Sequence, residues 1–152
     1  NYRMTEMQGA IGLAQLRKLD RIVEAHRTNA QVIRKKINHL DIEFRNVPDG
    51  SFETSDALIF YVENNKVART CRDYLLKNGI GTKILPEAIT WHFAGTWDHM
   101  PELLERAGRD LSKAYPNSLE LLNRSVSLPI SINMPENFAD KIQHVLEEVL
   151  GF

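Results

Sequence analysis

From Met4 to Leu40 the chain runs through apolar residues at helical spacing without meeting a proline. At roughly 1.5 Å per residue, one continuous helix over that stretch is about 55 Å long. A compact domain of this chain's length has a radius of gyration of about 15 Å. The rod therefore outreaches its own body. Either it bends, or it carries one end to a surface outside the chain.

The apolar pattern says which end. From Leu19 onward the apolar positions step by three and four, through Ile22/Val23, Ala30, Ile33 and Ile37 to Leu40. A single stripe of that kind is expected of a helix lying on its own core. Before Leu19 the pattern changes: Met4, Met7, Ala10, Ile11, Leu13, Ala14 and Leu16 wrap most of the circumference, and Gly9 and Gly12 allow close backbone approach. This part is expected to be surrounded on several sides. An ordinary N-terminal helix frayed at its start is the simpler alternative, although each glycine costs it about 1 kcal/mol against alanine.

The same twenty residues carry a resemblance. Asn1-Tyr2-Arg3-Met4-Thr5-Glu6-Met7-Gln8, followed by Ala10-Ile11-Gly12-Leu13-Ala14-Gln15-Leu16, closely resembles a signature of the DegT/StrS-type sugar aminotransferases. These are pyridoxal-phosphate (PLP) enzymes of the aspartate-aminotransferase fold, fold type I. Leu122-Asn123-Arg124-Ser125-Val126-Ser127-Leu128-Pro129-Ile130 is similar to the family's L-x-R-S/T-x-x-L-P strand near the C-terminus. Gly9 departs from the pattern, alanine being commoner there. The resemblance is strong over the first twenty residues and looser over the rest. It implies that residues 1–152 are the C-terminal domain of a longer enzyme. Residues 1–40 would form the long helix between lobes and between subunits, and 41–152 the small domain, with the large catalytic domain lying upstream.

Bulk properties are compatible with that reading. The chain has 152 residues, 43% hydrophobic and 26% charged, which suits one soluble α/β domain with a real core. A net charge of -1 predicts neither nucleic acid nor an anionic membrane as partner. Residues 1–40 hold eight Lys/Arg against three Asp/Glu, a basic face that either binds phosphates or is simply solvated. The single cysteine, Cys71, cannot form an internal disulfide and suits a reducing, cytoplasmic compartment as a small core residue. No apolar run approaches the roughly 18 residues of a membrane span. With no initiator methionine and no signal-peptide pattern, the chain reads as part of a longer cytoplasmic protein.

Beyond Leu40, residues 42–47 alternate as a short extended piece, and Pro48-Asp49-Gly50-Ser51 reads as a turn. Ala57–Val62 is a β-prone run expected to be a central strand. Asn64 or Asn65 caps a following helix that Gly79 closes, with Val67, Ala68, Cys71, Tyr74 and Leu75 on its buried face. Residues 80–85 are expected to return as a strand. Short helices follow near 101–107 and 117–123, then a strand over 126–130 whose proline favours an edge or strand end. Asn133, with Pro135 and Glu136 behind it, is expected to cap the last helix, which buries Phe138, Ile142, Val145, Leu146 and Val149. The fold class is an α/β (α+β) sandwich, a long N-terminal helix leading into a small, mainly antiparallel sheet covered by helices on one face.

Transamination on PLP needs a Schiff-base lysine, an acid for the pyridinium nitrogen and donors for the phosphate. The resemblance implies that the lysine and most of these groups lie upstream, so no catalytic residue is expected here. Lys83 is the one lysine near the aromatic segment, and a strand-edge or loop role is its plain reading. Asn1 is the cofactor candidate, since the resemblance implies that it reaches across a dimer interface to the PLP phosphate of the neighbouring subunit. Tyr2 and Arg3 would border that shared site, Arg3 pairing with a substrate phosphate or carboxylate, or else with a local acid. The segment Trp91-His92-Phe93 through Trp97-Asp98-His99 is the richest in aromatics. Trp91, His92 and Trp97 are substrate candidates, because aromatic faces cover sugar rings or bases; the same rings could equally be core. His92 matches by position a histidine that borders the family's substrate pocket. No metal site is expected, because His92, Asp98 and His99 fit no common ligand spacing.

The expected function is that of the parent: transfer of an amino group, from glutamate, to a keto-sugar, either nucleotide-linked or a sugar acid. The fragment alone should be inactive. Two alternatives remain at this stage: a non-catalytic ligand-binding or dimerisation domain, and a PLP-dependent sugar dehydratase of the same family.

Overall fold

The computed structural model describes residues 3–82, 89–108 and 110–152, apart from the side chains of Thr90, Trp91 and Ser112. The N-terminal run is helical but not one rod. Helix α1 spans Glu6–Leu16 and α2 spans Leu19–Ile37. Thr5 opens α1 with a reciprocal cap: its hydroxyl accepts from the Gln8 N–H (3.3 Å) while the Gln8 side chain accepts from the Thr5 N–H (2.9 Å). At the break, the Lys18 N–H bonds to the Gln15 carbonyl, three residues back, a 3-10 tightening that ends α1. Neither proline nor glycine stands there. The expectation of an unbroken helix to Leu40 is thus corrected to two helices, and the break falls where the buried stripe is about to begin.

That stripe is as expected from Val23 on. Val23, Ala30, Ile33, Ile37 and Leu40 are buried, whereas Leu19 stays half-exposed at 47%. Strands β1 (Glu43–Phe44), β2 (Ala57–Tyr61) and β3 (Ser125–Pro129) form an antiparallel sheet in the order β1-β2-β3. β2 is central, with Leu58 opposite Leu128, Phe60 opposite Val126, Ile59 opposite Ser127 and Tyr61 opposite Ser125. Pro129 sits at the end of β3, where a missing N–H costs the ladder nothing.

Alternation along β2 and β3 sends Leu58, Phe60, Val126 and Leu128 to one face, all buried. Against that face lie α2, α3 (Asn65–Lys77) and α7 (Phe138–Leu150), which supply Ile33, Ile37, Leu75, Ile142 and Leu146 to a continuous core. Each such side chain contributes about 1.5–3 kcal/mol by leaving water. Helix α3 begins as expected, with the Asn64 side chain accepting from the Val67 N–H (3.0 Å). It ends in a Schellman motif: Ile80 N–H to Leu75 O (2.8 Å) and Gly79 N–H to Leu76 O (2.9 Å), with Gly79 at φ 72°. A side chain at Gly79 would be strained there.

Two further expectations change. Residues 80–82 are irregular rather than strand; Thr82 instead donates its hydroxyl to the Ser127 carbonyl (2.9 Å), and residues 83–85 of the expected strand lie outside the described residues. The last helix starts at Phe138, after Asn137, not behind Asn133. The chain first makes a turn in which the Phe138 N–H bonds to the Pro135 carbonyl (3.0 Å), and no side chain caps the helix.

Candidate functional site

The face of the sheet turned away from the long helices ends in Tyr61, the last residue of β2. The shorter elements are α4 (Ile89–His92), a 3-10 turn at Ala94–Thr96, α5 (Pro101–Arg106) and α6 (Pro116–Asn123), and of these α4, the turn and α6 come to Tyr61. Between β2, α4 and α6 lies an open cavity of about 440 Å³. Its aromatic wall is Tyr61, Phe93 and Tyr115 with the imidazole of His92, and its aliphatic wall is Leu121 and Leu122. Ser118 adds a hydroxyl.

Local geometry fixes the aromatic wall. Phe93 is buried (5% exposed) and meets Tyr115 edge to face, ring centroids 6.3 Å apart at 83°. The ring folds back over the turn that follows it: a Cβ built on Gly95 would stand 2.1 Å from Phe93 Cε1. Only glycine fits beneath that ring. Thr96 pins the turn, its hydroxyl lying 2.9 Å from the Phe93 carbonyl and 3.2 Å from that of Ile89. Aromatic rings around a space with a few polar groups are what a ring-shaped, partly apolar ligand requires.

Arg124 holds the other two walls together. It follows α6, donates to Glu120 on that helix (2.6 Å) and to Glu43 on β1 (3.2 Å), and its guanidinium lies over the Tyr61 ring, 5.0 Å from the centroid. Burial works against its charge, yet the bonds to Glu120 and Glu43 outweigh that and raise its pKa above the ordinary arginine value. Asn65, at the start of α3, donates its amide to the Asn123 carbonyl at the end of α6 (3.0 Å).

Of the sequence candidates, His92 is placed in this cavity. Trp97 is half-buried in the next turn and does not line the cavity; Asp98 and His99 are exposed beyond it. Arg3 is exposed in the segment leading into α1, also apart from the cavity. Asn1, Tyr2, Lys83 and the side chain of Trp91 lie outside the described residues. Tyr61, Tyr115 and Arg124 are the additions. Tyr61 carried a weak signal, as the one aromatic on the outward register of the central strand. Tyr115 carried none, since folding alone brings it to Phe93.

Among the described residues no three His, Cys, Asp or Glu side chains converge on a metal-sized space. Every lysine among them is exposed, and none stands with an acid in an enclosed pocket as a Schiff-base lysine would. Cys71 is buried in the core, and burial pushes its thiol up to about 12, which leaves it unreactive.

No helix among the described residues is long and apolar enough to cross a membrane. Known proteins resemble the chain in sequence and in shape. GDP-perosamine synthase of Vibrio cholerae is 30% identical over 82 residues, covering 44% of this chain and 22% of that protein. The Helicobacter pylori PseC, an aminotransferase involved in the biosynthesis of pseudoaminic acid, superposes with a TM-score of 0.73 at 15% identity, over 99% of this chain and 38% of that one. The E. coli GDP-4-keto-6-deoxy-D-mannose-3-dehydratase with bound hydrated PLP gives 0.61 at 21% identity, over 99% and 36%. The chain thus spans less than two-fifths of the length of each of these relatives, and the fold it shares with the last two is that of fold type I sugar aminotransferases. Matched from residue 1 to residue 149 by the model of the DegT/DnrJ/EryC1/StrS aminotransferases, it belongs to that family.

Proposed function

We propose that this chain is the C-terminal part of a cytoplasmic, PLP-dependent enzyme that moves an amino group, from glutamate, to a keto-sugar that is nucleotide-linked or a sugar acid. The observation that carries the reading is the family match over residues 1–149. The Schiff-base lysine would be supplied by a lobe upstream of this chain. PLP, when bound there, supplies the electron sink that makes amino transfer feasible. This chain's share is to border the substrate: His92 and its aromatic neighbours on one side, with Trp91 and Trp97 further along the same segment. Asn1 would donate to the PLP phosphate of a second subunit, with Tyr2 and Arg3 beside it.

Assembly belongs to the same proposal. Met4, Met7, Ile11, Leu13 and Leu16 are each more than half exposed, and α1 buries no residue in its own chain. A second copy of the chain and the upstream lobe would cover that surface, making a homodimer that shares its cofactor sites. The deciding experiment measures 2-oxoglutarate release from glutamate with candidate keto-sugars, for the full-length parent and for residues 1–152 alone. Turnover by the parent and none by the fragment is expected. Turnover by the fragment would overturn the division of labour.

Dehydration is the second reading, favoured by the structural likeness to the E. coli dehydratase. Residues upstream of Asn1 separate the two: a lysine in the catalytic position supports transamination, and its replacement, for instance by histidine, supports dehydration.

A further inference from the structure

Three separate elements wall the aromatic cavity, and two of them, β2 and α6, are joined where α6 ends, by the backbone bond from the Val62 N–H to the Arg124 carbonyl (3.0 Å) and by the Arg124 side chain. Arg124 donates to Glu120 of α6 and to Glu43 of β1, while its guanidinium covers the Tyr61 ring. Its side chain is only 20% exposed, so the fork is held in place. A planar guanidinium can grip two carboxylates and stack on a ring at once; a lysine ammonium keeps the charge but can neither stack nor fork. Tyr61, beneath the guanidinium, and Leu121 and Leu122, on the same helix as Glu120, are three of the residues facing the cavity. A space of about 440 Å³ lined by aromatic rings and a serine hydroxyl suits one sugar ring, whose C–H faces pack on aromatics while its hydroxyls find polar edges.

We propose that Arg124 is a positioning residue for a carbohydrate-binding cavity: by fixing Tyr61 and α6 relative to each other it sets the affinity for a sugar ring at that place. The proposal rests on the reading of the chain as part of a sugar-handling enzyme, but it concerns binding rather than turnover. Its test therefore fails independently of the activity assay above.

The test titrates the 152-residue chain with methyl β-D-glucopyranoside and, separately, with phenol, following backbone amide shifts by NMR. Saturable shifts confined to Tyr61, residues 92–94 and residues 115–122 are expected with the glucoside, in the millimolar range ordinary for one ring in an open cavity. Arg124→Lys should weaken that binding about fivefold, the loss of one stacked cation, and should shift the Tyr61 ring resonances. Glu120→Gln, which removes one of the two carboxylates and leaves the stack, should weaken it less. The Kd and ring-shift readouts are taken on protein that stays folded, so a change in melting temperature alone does not mimic them. Shifts with phenol but none with the glucoside would overturn the carbohydrate assignment. Equal glucoside affinity in wild type and Arg124→Lys would overturn the positioning role.

Discussion

Helices α1 and α2 come from one uninterrupted run of helix-forming sequence, yet they are held by different forces. Helix α1 has a complete capping box and no buried residue. Helix α2 has no side-chain cap and four buried residues, Val23, Ala30, Ile33 and Ile37. The first is thus specified locally, by hydrogen bonds within three residues of its start, and the second by tertiary packing on β2 and α7. An isolated helix of eleven residues is marginal in water, so α1's own cap cannot supply what the core supplies to α2. Apolar side chains that are not packed at home define a surface awaiting a cover; packed ones define the fold.

The largest contrast should come from matched truncations. Ile33→Ala removes a fully buried side chain between α2 and the sheet and should cost about 2–5 kcal/mol in urea unfolding. Met7→Ala, at 74% exposure on α1, should stay within about 0.5 kcal/mol in the same assay. Comparable losses at the two sites would mean that α1 is packed in solution after all. Deleting residues 1–16 sharpens the point: light scattering should report a smaller particle while the circular dichroism of the remainder shows a cooperative melt. An unchanged mass would count against the interface role.

Gly95→Ala comes next. Its methyl would stand within 2.1 Å of the Phe93 ring and must drive that ring out of the cavity wall or distort the turn. About 1–3 kcal/mol of destabilisation is expected, together with loss of the Phe93–Tyr115 ring contact seen in aromatic NOEs. Caps give a finer comparison. Asn64→Ala should lower global stability by about 1 kcal/mol because α3 is part of the core, whereas Thr5→Ala, of equal intrinsic cost, should melt only α1. Amide hydrogen exchange resolves the two. If Thr5→Ala lowered protection in α2, the helices would be coupled across the Lys18 turn.

The parts of the fold legible beforehand were those with a period. Val23, Ala30, Ile33 and Ile37 repeat on one helical face, and the β-prone run at 57–62 sits where the sheet has its centre. Places where two local signals compete were not legible. Asn133-Met134-Pro135-Glu136 has the residues of a helix start, but the Phe138 N–H bonds to the Pro135 carbonyl and the helix begins a turn later. The Arg17–Lys18 break has no local mark at all, because it reflects where a core begins. The cavity lay further out of reach still. His92 and Phe93 are neighbours in sequence, but Tyr61, Tyr115 and Arg124 join them only through strand register and the docking of α6.

The smallest predicted effect tests whether surface ties favour the packed half of the molecule over the unpacked one. Glu147 on α7 accepts from Gln143 (2.7 Å) and meets His39, just past α2, at 2.9 Å. The Gln143 amide, and then His39, hold its carboxyl below the ordinary glutamate value of 4.5. A carboxyl whose pKa is lower folded than unfolded contributes stability that is fully present above the unfolded value, and loses it as pH falls through the folded one. Wild-type stability should therefore drop on acidification below about pH 4.5, and Glu147→Gln should flatten that part of the profile by lowering stability slightly at pH 6 while changing little in acid, where the wild-type carboxyl is already protonated. Because the tie joins α7 to the end of α2, hydrogen exchange in α2 and α7 should follow the same profile while α1 ignores it. A pH dependence that survives Glu147→Gln would move the acid sensitivity elsewhere; Asp56 is the next candidate, its carboxyl lowered first by the Thr54 hydroxyl at 2.7 Å.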